Sequence, residues 1–167
     1  MTRRAPFSEC APGSVAAMLA EAYEALLVQL PVDRREDLLA DWRRYDIAVF
    51  DEPDTVGSAG FLTLLDGAII GFGSWDPRGW PGVGHIGHNC ILPSHQGRGF
   101  GRQQVEEILG FFRSRGFRLA RVRTDEHFFF TPARRMYVAC GFKEVGRERG
   151  TLLDDCDTVI YELDLRA

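Results

Sequence analysis

The segment that most narrows what this chain can fold into is Ile91-Leu92-Pro93-Ser94-His95-Gln96-Gly97-Arg98-Gly99-Phe100-Gly101-Arg102. Gly97, Gly99 and Gly101 alternate with Arg98, Phe100 and Arg102. A strand-like run from His85 to Leu92 leads in, and an amphipathic helix leads out, with Val105, Ile108, Leu109 and Phe112 at helical spacing. Glycine lacks a Cβ, so its backbone N–H approaches a ligand closely and takes dihedrals that other residues avoid. A helix N-terminus adds unpaired N–H donors and partial positive charge. Arginines on the same turn favour phosphate. This strand–loop–helix unit has the makings of a diphosphate cradle.

The spacing excludes two common cradles. The phosphate loop of NTPases ends in Gly-Lys-Ser/Thr, whereas Gly101 is followed by Arg102-Gln103. A Gly-x-Gly-x-x-Gly fingerprint would need glycine at 102 or 104, where Arg102 and Gln104 stand. Gln96-Gly97-Arg98-Gly99-Phe100-Gly101 instead resembles the Gln/Arg-x-x-Gly-x-Gly/Ala signature of the GNAT superfamily of N-acetyltransferases. Downstream, Ala133-Arg134-Arg135-Met136-Tyr137-Val138-Ala139-Cys140-Gly141-Phe142 resembles that family's second landmark, a short helix carrying Ala-x-x-x-Tyr-x-x-x-Gly-Phe. Pro132 suits the first turn of this helix and Gly141 the position after its end. The two motifs together are far more specific than either alone, and the resemblance spans roughly residues 56–165. One departure is plain: many members carry Asn before the second helix, where this chain has Phe128-Phe129-Phe130-Thr131.

The resemblance implies a single three-layer α/β domain over residues 1–167, with a mixed, mostly antiparallel sheet flanked by helices. It implies acetyl-CoA as co-substrate, its pyrophosphate held at Gln96, Gly97, Arg98, Gly99, Phe100, Gly101 and Arg102. Backbone groups of Ile91 and Leu92 would meet the pantetheine arm. Tyr137 stands where the family places the general acid that protonates the coenzyme A sulfur. Family bases often lie about eleven residues before the signature Gln or Arg, a register that His85 meets. His88 is the second candidate on that strand. A strand alternates faces, so the two histidines point to opposite sides unless a bulge intervenes. Asp125, Glu126 and His127 after the next strand are reserves.

Composition bounds the remaining possibilities. The length, 167 residues, suits one domain with a substantial core. No apolar run approaches the roughly 20 residues that span a bilayer, and Met1–Pro6 lacks the apolar stretch of a secretory signal. The chain therefore reads as cytoplasmic, without a membrane partner. Cys10, Cys90, Cys140 and Cys156 form no CxxC pair and read as reduced thiols, not as a zinc site; no metal is expected. Charge is unevenly spread. Residues 1–95 hold 7 Arg against 13 Asp and Glu, whereas 96–149 hold 12 Arg and Lys against 6 acids. The basic block coincides with both motifs, as an anionic co-substrate would require. A pI of 5.6 argues against nucleic acid. The acidic first half favours a cationic acceptor, and a homodimer is compatible with the sequence.

Periodicity supplies the other elements. Ser14 is placed to cap a helix with Val15, Met18, Leu19, Ala22 and Leu26 on one face, stopped by Pro31. Asp33-x-x-Glu36 resembles a capping box opening a second helix, with Leu38, Leu39, Trp42 and Tyr45 inward. Strands at 58–65 and 68–75 flank an Asp66-Gly67 hairpin turn. Further elements are a helix at 101–115, a strand at 118–124, a helix at 132–139, and strands near 143–149 and 156–164. Trp75, Asp76 and Trp80 around the third-strand loop are candidates to line an acceptor pocket. The expected activity is N-acetyl transfer to an amine of a small molecule or protein, by direct attack in a ternary complex. The rival expectation is a non-catalytic domain of the same fold that senses acyl-CoA or another phosphate ligand.

Overall fold

The computed structural model describes residues 1–79, 81–150 and 152–166. Seven strands form one sheet: β1 (Thr2–Ala5), β2 (Gly60–Leu65), β3 (Ala68–Trp75), β4 (Val83–Ile91), β5 (Leu119–Asp125), β6 (Lys143–Arg149) and β7 (Asp157–Asp164). Their spatial order is β1-β2-β3-β4-β5-β7-β6, antiparallel except where β4 meets β5. Asp66 and Gly67 have φ of 50° and 89°, which suits the tight β2–β3 hairpin turn and the twist of its strands. The Thr2–Ala5 edge strand escaped the sequence reading because it is short and carries two arginines, which also guard an edge against unwanted pairing.

Among the described residues five α-helices cover the sheet: α1 (Ser14–Ala22), α2 (Glu24–Leu27), α3 (Val32–Asp51), α4 (Phe100–Ser114) and α5 (Thr131–Ala139). The first three pack one face, around Val15, Leu19, Leu26, Trp42, Leu62 and Phe72. Helices α4 and α5 pack the other, around Val105, Ile108, Phe112, Val122, Tyr137 and Val159. Fully burying a side chain such as Phe72 or Phe112 contributes about 1.5–3 kcal/mol, so the two apolar layers pin the sheet between helices. The three-layer, mixed, mostly antiparallel architecture is the one expected.

Two capping expectations are corrected. Ser14 does not cap α1. Gly13 takes the N-cap position with φ of 94°, and the buried carboxylate of Asp46 on α3 accepts the N–H groups of Gly13, Val15 and Ala16 at 2.7, 2.9 and 3.1 Å. A tertiary partner thus replaces the local one. The Asp33–Glu36 box does not form either, because α3 starts right after Pro31 without a side-chain cap. The first helical stretch also breaks at Tyr23, so Leu26 reaches the core from the separate turn α2.

Strands β4 and β5 pair only at Val83–Leu119, Gly84–Ala120 and His85–Arg121. Beyond His85 no pairing joins them and the sheet opens. On its other edge β4 carries a bulge: Gly73 faces Asn89 and Trp75 faces Ile86, so three steps of β4 oppose two of β3. The extra residue lies at Gly87–His88. Its effect shows in the packing, since Ile86 joins the α4 side of the core and Cys90 the α1–α3 side, although residues four apart in a regular strand share a face.

Candidate active site

The opening between β4 and β5 is a cleft of about 720 Å³, within the range usual for small-molecule sites. Gly87, His88 and Asn89 of β4 and Arg123, Thr124 and Asp125 of β5 form its flanks. Tyr23, Leu38 and Phe130 supply apolar walls, and Asp37 and Asp41 of α3 stand at its edge. Tyr137 of α5 reaches into the cleft from the opposite layer.

Tyr137 is 4% exposed. Its ring meets Phe142 edge-on at 5.8 Å, and its hydroxyl donates a long hydrogen bond, 3.4 Å, to Asn89 Oδ1. Burial pushes its pKa up to about 12, so the phenol stays protonated at neutral pH. The cleft therefore contains a fixed proton donor held by an amide oxygen. Asn89 was not singled out in the sequence. Its only signal was an alternate position between two histidines and the glycine loop.

The bulge decides where the histidines go. Gly84 faces Phe112, since a Cβ there would approach that ring to 2.6 Å, and Ile86 also faces α4. His85 therefore points to the α1–α3 side. The extra residue brings His88 to the same side, where its ring lies 4.7 Å from Tyr45. Of the two, only His88 lines the cleft. Its walls desolvate it and lower its pKa, and Asp41 opposes that shift. His85 sits lower on the strand, where the sheet is still closed. Its pKa is lowered by burial and by Arg121, and its carbonyl accepts Asp76 N–H at 2.9 Å.

The glycine loop runs on directly from the cleft strand. Gly97 and Gly99 take φ of 72° and 85°, and a Cβ at either would meet nothing within 4 Å. The positive φ explains the glycines, and the open space leaves their faces accessible. The first α4 bond is Gln103 N–H to Gly99 O, 3.1 Å, so the N–H groups of Phe100, Gly101 and Arg102 lack the partners an earlier turn would provide. Arg98 is exposed over the Phe100 ring, 5.1 Å from its centroid, while Arg102 is drawn back to Glu106 at 2.8 Å. The Gln96 amide braces the loop by donating to Ile91 O at 2.8 Å, and Leu92 N–H donates to Ile70 O at 2.8 Å. Two of the backbone groups expected to serve a ligand at Ile91-Leu92 are thus engaged within the protein. The cradle retains unpaired donors on an open, arginine-bearing turn, a donor set suited to a diphosphate.

The proposed acceptor residues of the third-strand loop lie elsewhere. Trp75 stacks on Phe111 of α4 at 4.3 Å, on the layer behind the cleft. Asp76 is held by Arg78 at 2.7 Å, and that ion pair keeps its pKa low. Neither lines the cleft, and Trp80 lies outside the described residues. Trp75 faces α4, whereas Asp76 lies just past the end of β3 beside His85, at the closed end of the sheet. Among the described residues there is no cluster of three or more potential metal ligands, and no helix is long and apolar enough to cross a membrane.

Comparison with known proteins adds to this geometry. Residues 19–142 match the sequence model of the acetyltransferase (GNAT) family. A Desulfovibrio desulfuricans protein assigned to that family superposes with a TM-score of 0.74 at 19% identity, covering 99% of this chain and 98% of the other. The ribosomal-protein-S18-alanine N-acetyltransferase of Escherichia coli does so with a TM-score of 0.63 at 16% identity, covering 99% and 94%. A Bacillus anthracis protein assigned as a streptothricin acetyltransferase, solved with acetyl coenzyme A, gives 0.56 at 18% identity over 63% of this chain and 61% of its own. At these identities the likeness is one of fold. No curated protein sequence matches the chain significantly.

Proposed function

This chain belongs to the acetyltransferase (GNAT) family, and on that premise we propose that it moves an acetyl group from acetyl-CoA to an amine by direct attack in a ternary complex. The observation that carries the reading is Tyr137, a buried phenol that opens into the cleft beside the strand feeding the glycine loop. The loop's free N–H groups and Arg98 suit the pyrophosphate of acetyl-CoA, and a protein of like fold has been solved with that molecule.

Bound acetyl-CoA supplies an activated thioester. The amine nitrogen forms the new C–N bond as the C–S bond breaks, so no nucleophilic side chain is needed. Tyr137 gives its proton to the departing sulfur and is recharged from solvent. His88, kept neutral by its depressed pKa, takes the proton that the amine loses, directly or through one water. His85 is too far down the closed part of the sheet to share the cleft. The continuous sheet supports one domain over residues 1–167, and four unpaired thiols support a cytoplasmic setting.

Coenzyme A release from acetyl-CoA, followed with a panel of primary amines, tests the proposal. Amine-dependent release is expected. Tight acetyl-CoA binding without turnover on any amine would favour an acyl-CoA sensor of the same fold.

A further inference from the structure

We propose that Ser74 is a positioning residue, whose hydroxyl locks the β4 bulge and so sets how His88 and Asn89 enter the cleft. This deepens the acetyltransferase reading and rests on it. The bulge leaves one residue of β3, Ser74, opposite both Gly87 and His88 of β4. Such a bulge interrupts the ladder, so other contacts must fix the local backbone. Here the Ser74 hydroxyl donates to the His88 carbonyl at 2.6 Å. Ser74 is 1% exposed, so water does not compete for that bond, and breaking it would leave the buried hydroxyl unsatisfied.

Gly87 completes the fit. A Cβ at that position would stand 2.9 Å from Ser74 Oγ, in the space that the hydroxyl occupies. Gly87 is not among the glycines of positive φ, so the close approach of Ser74, and not a backbone dihedral, calls for glycine here. The carbonyl held by Ser74 belongs to the peptide that joins His88 to Asn89, so turning that peptide turns both residues. His88 is the proposed base, its ring 4.7 Å from Tyr45 of α3, and Asn89 receives the Tyr137 hydroxyl. Ser74 does not itself line the cleft. It acts through the two residues that do.

A double-mutant cycle of Ser74→Ala and Gly87→Ala tests this. Each single substitution should lower kcat about tenfold, as expected when a reacting group is slightly misplaced, and leave KM for acetyl-CoA within about twofold. The double variant should be no slower than Ser74→Ala, because without the hydroxyl the added methyl meets only Trp75 backbone, at 3.4 Å. The Asn89 amide resonance should follow the same cycle, since that N–H shares a peptide group with the held carbonyl. Losses that multiply, kcat unchanged in Ser74→Ala, KM rising as kcat falls, or an unmoved Asn89 amide would overturn the proposal. A parent protein with no amine-dependent coenzyme A release would instead sink the acetyltransferase reading, while the Asn89 resonance would still decide the lock.

Discussion

In the proposed reaction Tyr137 is the proton donor, and two residues hold it in a buried position. Phe142 fixes its ring and Asn89 receives its hydroxyl, and burial pushes its pKa up to about 12. Tyr137→Phe removes only the hydroxyl, so fold and coenzyme A affinity should persist while turnover falls about 100-fold, the size expected for a lost general acid. The raised pKa also has a sign: the phenol remains a donor well above the pH at which an ordinary tyrosine ionises, so no loss of rate from its ionisation should appear up to about pH 11. His88 runs the other way. Its pKa is lowered by desolvation, so the acid limb of the pH–rate profile should lie below the ordinary histidine value of about 6.5. In His88→Ala the deficit should be greatest near neutrality and shrink toward the amine's own pKa, whereas His85→Ala should leave the profile's shape intact. At the cradle, a charge-assisted phosphate contact contributes about 1.5–3 kcal/mol. Arg98→Glu should therefore weaken acetyl-CoA by an order of magnitude or more in calorimetry, and an unchanged affinity would remove Arg98 from the cradle.

Among the elements, α1 depends most visibly on a distant residue. Asp46 takes three N–H groups at its start from within the α1–α3 layer. Asp46→Ala leaves those donors unpaired in a buried place and should lower unfolding stability by about 2–4 kcal/mol in urea titrations, with Asp46→Asn losing less. Sequence alone pointed to Ser14, since a cap is sought next to the helix it serves and a partner 31 residues away leaves no local trace. Where the deciding interactions were local, the reading was sound. The apolar spacing of Val105, Ile108, Leu109 and Phe112 marked the inner face of α4, and Asp66-Gly67 marked the hairpin. Where they were tertiary, it failed or stayed open. The bulge at Gly87–His88 has no sequence signature, yet it decides which side each histidine faces. Trp75 looked like a pocket residue and proved to be packing for Phe111. Asn89 reaches the cleft because two parallel strands part beside it, and no spacing along the chain records that parting.

At the scale of the whole molecule, the break in pairing after His85–Arg121 is what turns a closed sheet into a site. It lets a side chain from α5 meet β4 residues across the gap, and it puts that meeting point at the end of the strand that becomes the cradle. The proposed direct attack needs a thioester and an amine in this one cleft together, a ternary complex and not an acetylated enzyme. Initial velocities of coenzyme A release, measured while acetyl-CoA and a productive amine are varied against each other, test that claim most directly. Direct attack in a ternary complex gives double-reciprocal lines that intersect and leaves no acetyl group on the protein when amine is absent. Parallel lines, with acetyl-enzyme detected by mass, would mean a covalent relay and would contradict it.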